Sequence, residues 1–332
     1  MDQRLNQIQH WLENELQCTI TSIEPASADA SFRRYFRVFF SNSEMTEIEI
    51  DKSYIIMDAP PPQEDIEPFI RSTEIFKSCH IHVPDIYAQD ITNGFLILED
   101  FGSSPYLSIL NDKNVDSLYS DAFDSLLKLT KTEDVLLPEY DQQKLQTEMD
   151  LYLDWYIQVH LNIKLTSEEK QILTSAQKKI IEIIQEQPKV IVHRDFHSRN
   201  LMFVEHLNPG VIDFQDAVIG PCTYDLVSLL KDSYIKWSEE KINQWLNTYQ
   251  RRLFELNIIS NMKHEQFKKW FDVMGMQRQI KVVGIFSRLY HRDGKDNYLN
   301  DIPLTYQNLL NASKQYSEFS DLYQLLQKYS PL

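Results

Sequence analysis

"VHRDFHSRNLMF", residues 192–203, overlaps the apolar run "KVIV" at 189–192 and closes on Leu201, Met202 and Phe203. Ionisable side chains crowd between two apolar ends. The pattern predicts a polar loop held between two buried strands. Five residues separate Asp195 from Asn200, and Asp213 follows in "PGVIDF" at 209–214, after a turn that contains Pro209 and Gly210.

That spacing has chemical content. Phosphoryl transfer needs a carboxylate that orients the attacking hydroxyl and accepts its proton, together with oxygen ligands that hold Mg²⁺ on nucleotide phosphates. The pattern H-R-D-x-x-x-x-N supplies the carboxylate and one amide ligand from a single loop, and a nearby strand ending in Asp supplies a second, charged ligand. Asp195, Asn200 and Asp213 fill these three roles. A second HRD, at His291, Arg292 and Asp293, fails the same test because the position five beyond its Asp is Tyr298 and no apolar strand ending in Asp follows. Two plainer readings of 193–200 compete. One is a solvated charged loop. The other is a metal site at His193 and His197, which have the i, i+4 spacing of zinc ligands but lack the intervening Glu and a third ligand.

Composition narrows the setting. The 332 residues are 42% hydrophobic and 25% charged, with a formal net charge of -16. That balance suits a globular chain of one large domain or two lobes, and its negative field argues against a nucleic-acid or anionic-membrane partner. A small-molecule substrate is expected, with no obligatory protein partner. The three cysteines, Cys18, Cys79 and Cys222, match no zinc motif and no disulfide framework, which fits a reducing compartment. The N-terminal stretch lacks a basic start followed by an apolar run, and nothing approaches the roughly 18 apolar residues of a membrane helix. It reads as an amphipathic first helix of a cytoplasmic protein.

The periodicity changes near residue 100. Before it come short β-rich runs, "RRYFRVFF" at 33–40, "SYIIMD" at 53–58, "DIYAQD" at 85–90 and "GFLILED" at 94–100, with a helical pattern at 66–80. After it the spacing is helical, apart from "KVIV" and "PGVIDF". The expected architecture is α+β: a small β-rich lobe, 1–100, followed by a larger helical lobe, 101–332.

The strings "VHRDFHSRNLM" and "GVIDFQDAVIGPCTYDL", behind such a small lobe, resemble the aminoglycoside phosphotransferase and choline kinase family, which shares the protein-kinase bilobal fold. Within it, "SADASFRRYFRV", "YIIMDAPPPQEDIEPF", "DLVSLLKDSYIKW" and "GIFSRLYHRDGKDNYLNDIP" resemble the cell-wall-recycling kinases that phosphorylate N-acetylmuramate and N-acetylglucosamine at the anomeric position. The resemblance implies ATP and Mg²⁺ as cofactors, Asp195 as the catalytic carboxylate and Asn200 and Asp213 as metal ligands. It also implies Asp225 as a buttress of the catalytic loop, although "CTYDL" equally reads as helix-initiating chemistry. His193 is expected to orient the loop, while His197 and Arg199 are placed to reach the substrate or to serve the loop itself.

Two departures from the kinase pattern stand out. No glycine-rich phosphate loop is present, since Gly94 is the sole glycine of the first hundred residues. "PASADASFRR" takes its place, where small side chains admit backbone amides to a phosphate and Ser27 or Ser31 offers a hydroxyl. At the third-strand position where kinases carry a lysine stand Met57 and Asp58, so Arg33 or Arg34 becomes the candidate cation and Glu74 the candidate helix glutamate. Backbone groups from Glu99 to Phe101 are the expected hinge for adenine. At the far end, Arg278, Arg288 and Arg292 are candidates for a planar two-point bond to a substrate carboxylate, against the plainer reading of salt-bridged helix packing. Three functions follow: an anomeric amino-sugar kinase, a kinase of a cationic small molecule such as choline or an aminoglycoside, and a catalytically silent kinase-like binding module. The joint presence of Asp195, Asn200 and Asp213 argues against the third.

Overall fold

The computed structural model describes residues 2–28, 32–61, 63–130 and 136–331. They form two compact units, one of Met1–Ser104 with Met202–Asp216 and one of Pro105–Leu201 with Ala217–Leu332.

The first unit begins with α1 (Gln3–His10), whose end widens into π-helical turns at Trp11–Glu15. A five-stranded antiparallel sheet follows in the order β1-β2-β3-β5-β4, built from β1 (Cys18–Ala28), β2 (Arg34–Ser43), β3 (Ser53–Asp58), β4 (Ile86–Asp90) and β5 (Phe95–Glu99). Helix α2 (Glu67–Ser78) lies between β3 and β4 in the chain. Strand β2 shows why the sheet forms: Phe36, Val38 and Phe40 alternate inward while Tyr35, Arg37 and Phe39 do not. Those inward residues join Ile8, Trp11 and Leu12 of the N-terminal helix and Tyr54, Ile56, Phe95 and Ile97 of the sheet in one buried cluster. Strand β1 is absent from the runs expected from sequence. Its register against β2 shifts at Thr19/Ile20, Ile20/Ser22 and Pro25/Ser27, and such bulges erase the period-2 signal.

The segment 202–216 is bound into this unit by packing and hydrogen bonds. The rings of Phe69 and Phe76 on α2 meet Phe214 at 4.9 and 5.4 Å, and the Val211 N–H donates to the His82 carbonyl at 2.7 Å. Gly210 lies so close to the Phe101 ring that an added Cβ would sit 2.6 Å from it. No larger residue fits there without displacing the ring.

The second unit is helical. It runs through α3 (Tyr106–Ile109), α4 (Val115–Lys128), α5 (Gln142–Leu151), a π-helical continuation at Tyr152–His160, and α6 (Ser167–Ile184) to β6 (Lys189–Val192). After β7 (Leu201–Met202) and β8 (Gly210–Val211), which pair with each other, come β9 (Val218–Pro221), α7 (Tyr224–Leu230), α8 (Glu239–Glu255), α9 (His264–Asp293), α10 (Ile302–Lys314) and α11 (Ser320–Lys328). Strands β6 and β9 pair antiparallel from Lys189↔Pro221 to Val192↔Val218, so the polar loop leaves β6 beside the first residue of β9. Helix α9 is the axis of the unit and is buried over most of its length; Gly284 lets it approach the Leu151 backbone, where a Cβ would meet the carbonyl carbon at 2.4 Å. All three cysteines are buried and in no disulfide, and among the described residues no helix is long and apolar enough to cross a membrane.

Candidate active site

Strand β6 delivers the chain into a tight loop at His193. Arg194 takes φ 80°, left-handed backbone that a non-glycine residue adopts only when its surroundings impose it. The imposing group is Asp225 at the start of α7, buried to 5% exposure, which accepts the His193 N–H at 2.7 Å and the Arg194 N–H at 3.0 Å. Burial pushes the Asp225 carboxyl up to about 7, against these two N–H bonds, which pull it down.

Inside the loop the bonds are local. The His193 Nδ1 accepts the Asp195 N–H at 3.2 Å, the Asp195 carbonyl accepts the His197 N–H at 3.0 Å and the Asn200 Nδ2 at 3.0 Å, and the Asn200 N–H closes on the His197 carbonyl at 2.9 Å. The far half is tied down by Asp232, fully buried, whose Oδ2 accepts both the Ser198 N–H at 3.0 Å and the Ser198 hydroxyl at 2.6 Å. Two aspartates, one at each end of α7, thus bracket the loop. Asp195 itself is half-buried. Burial raises its carboxyl, but Lys281, His197, Arg278 and Arg194 outweigh that and hold it at about 2. It is a carboxylate at neutral pH.

Beneath the loop lies a buried polar network that sequence reasoning missed. Glu148 on α5 pairs with Arg194 and, at 3.3 Å, with Lys281 on α9; it also accepts the Tyr140 hydroxyl. Lys281 donates to the Tyr224 hydroxyl at 3.1 Å. A signal existed for Glu148. It falls on the apolar stripe Leu145, Met149, Tyr152 and Tyr156 of its helix, where an unpaired carboxylate would be costly.

On the other side, His197 meets the Tyr234 ring edge-on at 5.4 Å, and the Arg199 guanidinium lies over the same ring at 3.6 Å with Asp301 3.8 Å away. Burial lowers the His197 pKa below its usual value, and its Nδ1 is buried with no hydrogen-bond partner among the described residues. The three arginines of α9 are not brought together. At about 1.5 Å rise per residue, Arg288 and Arg292 stand about 15 and 21 Å along the helix axis from Arg278. Arg278 is 3% exposed, Arg288 is half-buried with its Nε unpartnered among the described residues, and Arg292 is exposed and paired with Asp293 at 2.7 Å.

In the first unit Asp213 follows β8 at φ 64°, again left-handed, with Gln215 donating to its Oδ1 at 2.8 Å. In the second unit, Asn200 commits its amide nitrogen to the Asp195 carbonyl. Asp58, at the third-strand position, is fully buried and held by two arginines: Arg34, its cross-strand neighbour, at 2.6 Å, and Arg4 of α1 through Nε at 3.0 Å. Arg34 also pairs with Asp2, the N-cap of α1. Arg33 pairs with Glu64 at 3.1 Å. Glu74 stands on the exposed side of α2, and Ser31 lies outside the described residues. The Glu99 N–H is taken by the Asp85 carbonyl at 2.9 Å, while Phe101 packs edge-on against His82 at 4.6 Å.

Comparison with known proteins gives this arrangement its kin. A family-wide sequence model described as the phosphotransferase enzyme family matches residues 22–259. An N-acetylmuramate/N-acetylglucosamine kinase of Pseudomonas aeruginosa is 40% identical over 98% of this chain and 96% of its own length, and one of Pseudomonas putida is 39% identical with the same coverage. Among solved structures, ADP-bound aminoglycoside phosphotransferase APH(2'')-Ib superposes with a TM-score of 0.59 at 17% identity, over 93% of this chain and 98% of that one.

Proposed function

The chain belongs to the phosphotransferase enzyme family, and we propose that it transfers the γ-phosphoryl group of ATP to the anomeric hydroxyl of N-acetylmuramate or N-acetylglucosamine in peptidoglycan recycling. The observation that carries this reading is the match, over 98% of the chain, to two kinases named for those sugars. The geometry of the loop supports it. Asp195, ionised and held by its own backbone bonds, orients the sugar hydroxyl and takes its proton as the new O–P bond forms. Asn200 and Asp213 hold Mg²⁺, which supplies charge neutralisation on the phosphates when bound. His193 and Asp225 set the loop, and His197, Arg199, Arg278, Arg288 and Arg292 belong to the acceptor side.

The first unit is assigned to the nucleotide. Ser31 is assigned to the phosphates, Glu99 and Phe101 to the adenine hinge, and Glu74 to the role of the helix glutamate. Arg33 or Arg34 is the cation for the phosphates, exchanging one carboxylate partner for a phosphate oxygen on binding. The setting is cytoplasmic, where ATP is available. Incubating the protein with ATP, Mg²⁺ and each sugar, then reading the product by phosphorus NMR, tests the proposal. The expected product is a sugar 1-phosphate that reverts on mild acid hydrolysis. Phosphate on the 6-hydroxyl, or transfer only to choline or an aminoglycoside, would overturn it.

A further inference from the structure

Arg278 is an anomaly in the interior of the second unit. It is 3% exposed, and its Nη1 has no hydrogen-bond partner among the described residues. The neighbouring buried cations are answered: Arg194 pairs with Glu148, and Lys281 has Glu148 at 3.3 Å and the Tyr224 hydroxyl at 3.1 Å. Among the described residues, none of the ion pairs includes Arg278. A buried guanidinium nitrogen left without a hydrogen bond is costly, and the Asp195 carboxylate whose charge reaches Arg278 makes no ion pair with it. Such a site calls for an anion from outside the chain.

Its position says which anion. Three residues along α9 from Arg278, and so on the same face of the helix, Lys281 pairs with the Glu148 that also holds Arg194 of the loop, which puts Arg278 beside the loop that presents the carboxylate; its charge is felt at Asp195, His197 and Asp225 behind the larger effect of burial. We infer that Arg278 is a phosphate-binding residue, pairing with the phosphoryl group as it arrives on the acceptor and with the phosphate of the sugar phosphate product, whichever sugar is bound. This rests on the kinase reading above. In the step, the acceptor oxygen bonds to the γ-phosphorus, the bond from that phosphorus to the β–γ bridging oxygen breaks, its electron pair leaves with ADP, and the hydroxyl proton passes to Asp195. A residue placed for the carboxylate of N-acetylmuramate would be left unpaired by neutral N-acetylglucosamine. The phosphoryl group is common to both, and a planar guanidinium matches it in two-point geometry.

The test compares wild type with Arg278→Met and Arg278→Lys. Turnover is measured with both sugars, and thermal stabilisation with N-acetylglucosamine 1-phosphate, N-acetylglucosamine and inorganic phosphate. In Arg278→Met, kcat should fall about 10²-fold with either sugar, as for loss of a donor to developing charge, and the lysine variant should recover part of it. Stabilisation by the sugar phosphate and by inorganic phosphate should be lost in Arg278→Met, that by N-acetylglucosamine kept, and the unliganded thermal midpoint should be equal to or above wild type. A kcat loss confined to N-acetylmuramate, phosphate stabilisation undiminished in the variant, or a marked fall in the unliganded midpoint would each overturn the assignment. If wild type phosphorylates neither sugar, the substrate reading falls, and the phosphate titration still decides for or against Arg278.

Discussion

The Asp225 carboxylate accepts the His193 N–H at 2.7 Å through one oxygen and the Arg194 N–H at 3.0 Å through the other, so one buried side chain sets the backbone just before Asp195. An amide has only one acceptor oxygen. Asp225→Asn should therefore release one of the two N–H groups and lower kcat by an order of magnitude or more, with KM for the sugar little changed. The folded carboxyl titrates at about 7, above the ordinary value of 3.8, so its contribution to stability is full below 3.8 and is lost as pH rises through 7. Urea midpoints between pH 5 and 8 should show wild type losing ground to Asp225→Asn as pH rises. A gap that stays constant would reject the buried, proton-holding carboxyl.

Asp195→Asn should lower turnover by about 10²-fold or more, the usual worth of a positioned proton acceptor. Nucleotide binding should stay close to wild type, because the loop is closed by the Asp195 carbonyl rather than its side chain. Near-normal turnover would remove Asp195 from the chemistry.

Asp213→Ala should raise the Mg²⁺ concentration needed for half-maximal activity more than Asn200→Ala, since a carboxylate brings charge as well as an oxygen to a hard cation. Activity measured across a Mg²⁺ series decides. An unchanged metal dependence in both variants would sink the ligand assignment.

Arg33→Ala and Arg34→Ala should separate. Arg34 is one of two arginines on the fully buried Asp58, so its loss leaves that carboxylate half-compensated and should cost about 1–3 kcal/mol, read as a lower thermal midpoint. Arg33 pairs with Glu64 rather than with a fully buried carboxylate, so Arg33→Ala should raise KM for ATP with a smaller loss of stability. The opposite pattern would exchange the two roles.

Much of this was legible in one dimension, for a physical reason. The sheet announces itself by period-2 alternation in "RRYFRVFF", and the loop chemistry by the fixed offset of Asp195 and Asn200, because both depend on neighbours along the chain. Where local geometry is irregular the signal fades, as in the bulged strand Cys18–Ala28. Asp58 is the instructive case, since its sequence position marks a missing lysine while its two arginines arrive from α1 and from the opposing strand.

The sequence alone determined the α+β architecture and the three polar residues with the spacing of phosphoryl-transfer chemistry, since these are carried by local pattern. Only the tertiary structure decided that Asp225 and Asp232 grip the loop from both ends of α7, and that Glu148 and Lys281 form a charged floor beneath it. It also decided that Arg278 is buried by the loop with no ion-pair partner among the described residues while Arg292 stands exposed. A charge in a sequence has no environment. Its cost and its meaning arise when packing removes water from it and a partner from another element does, or does not, replace that water.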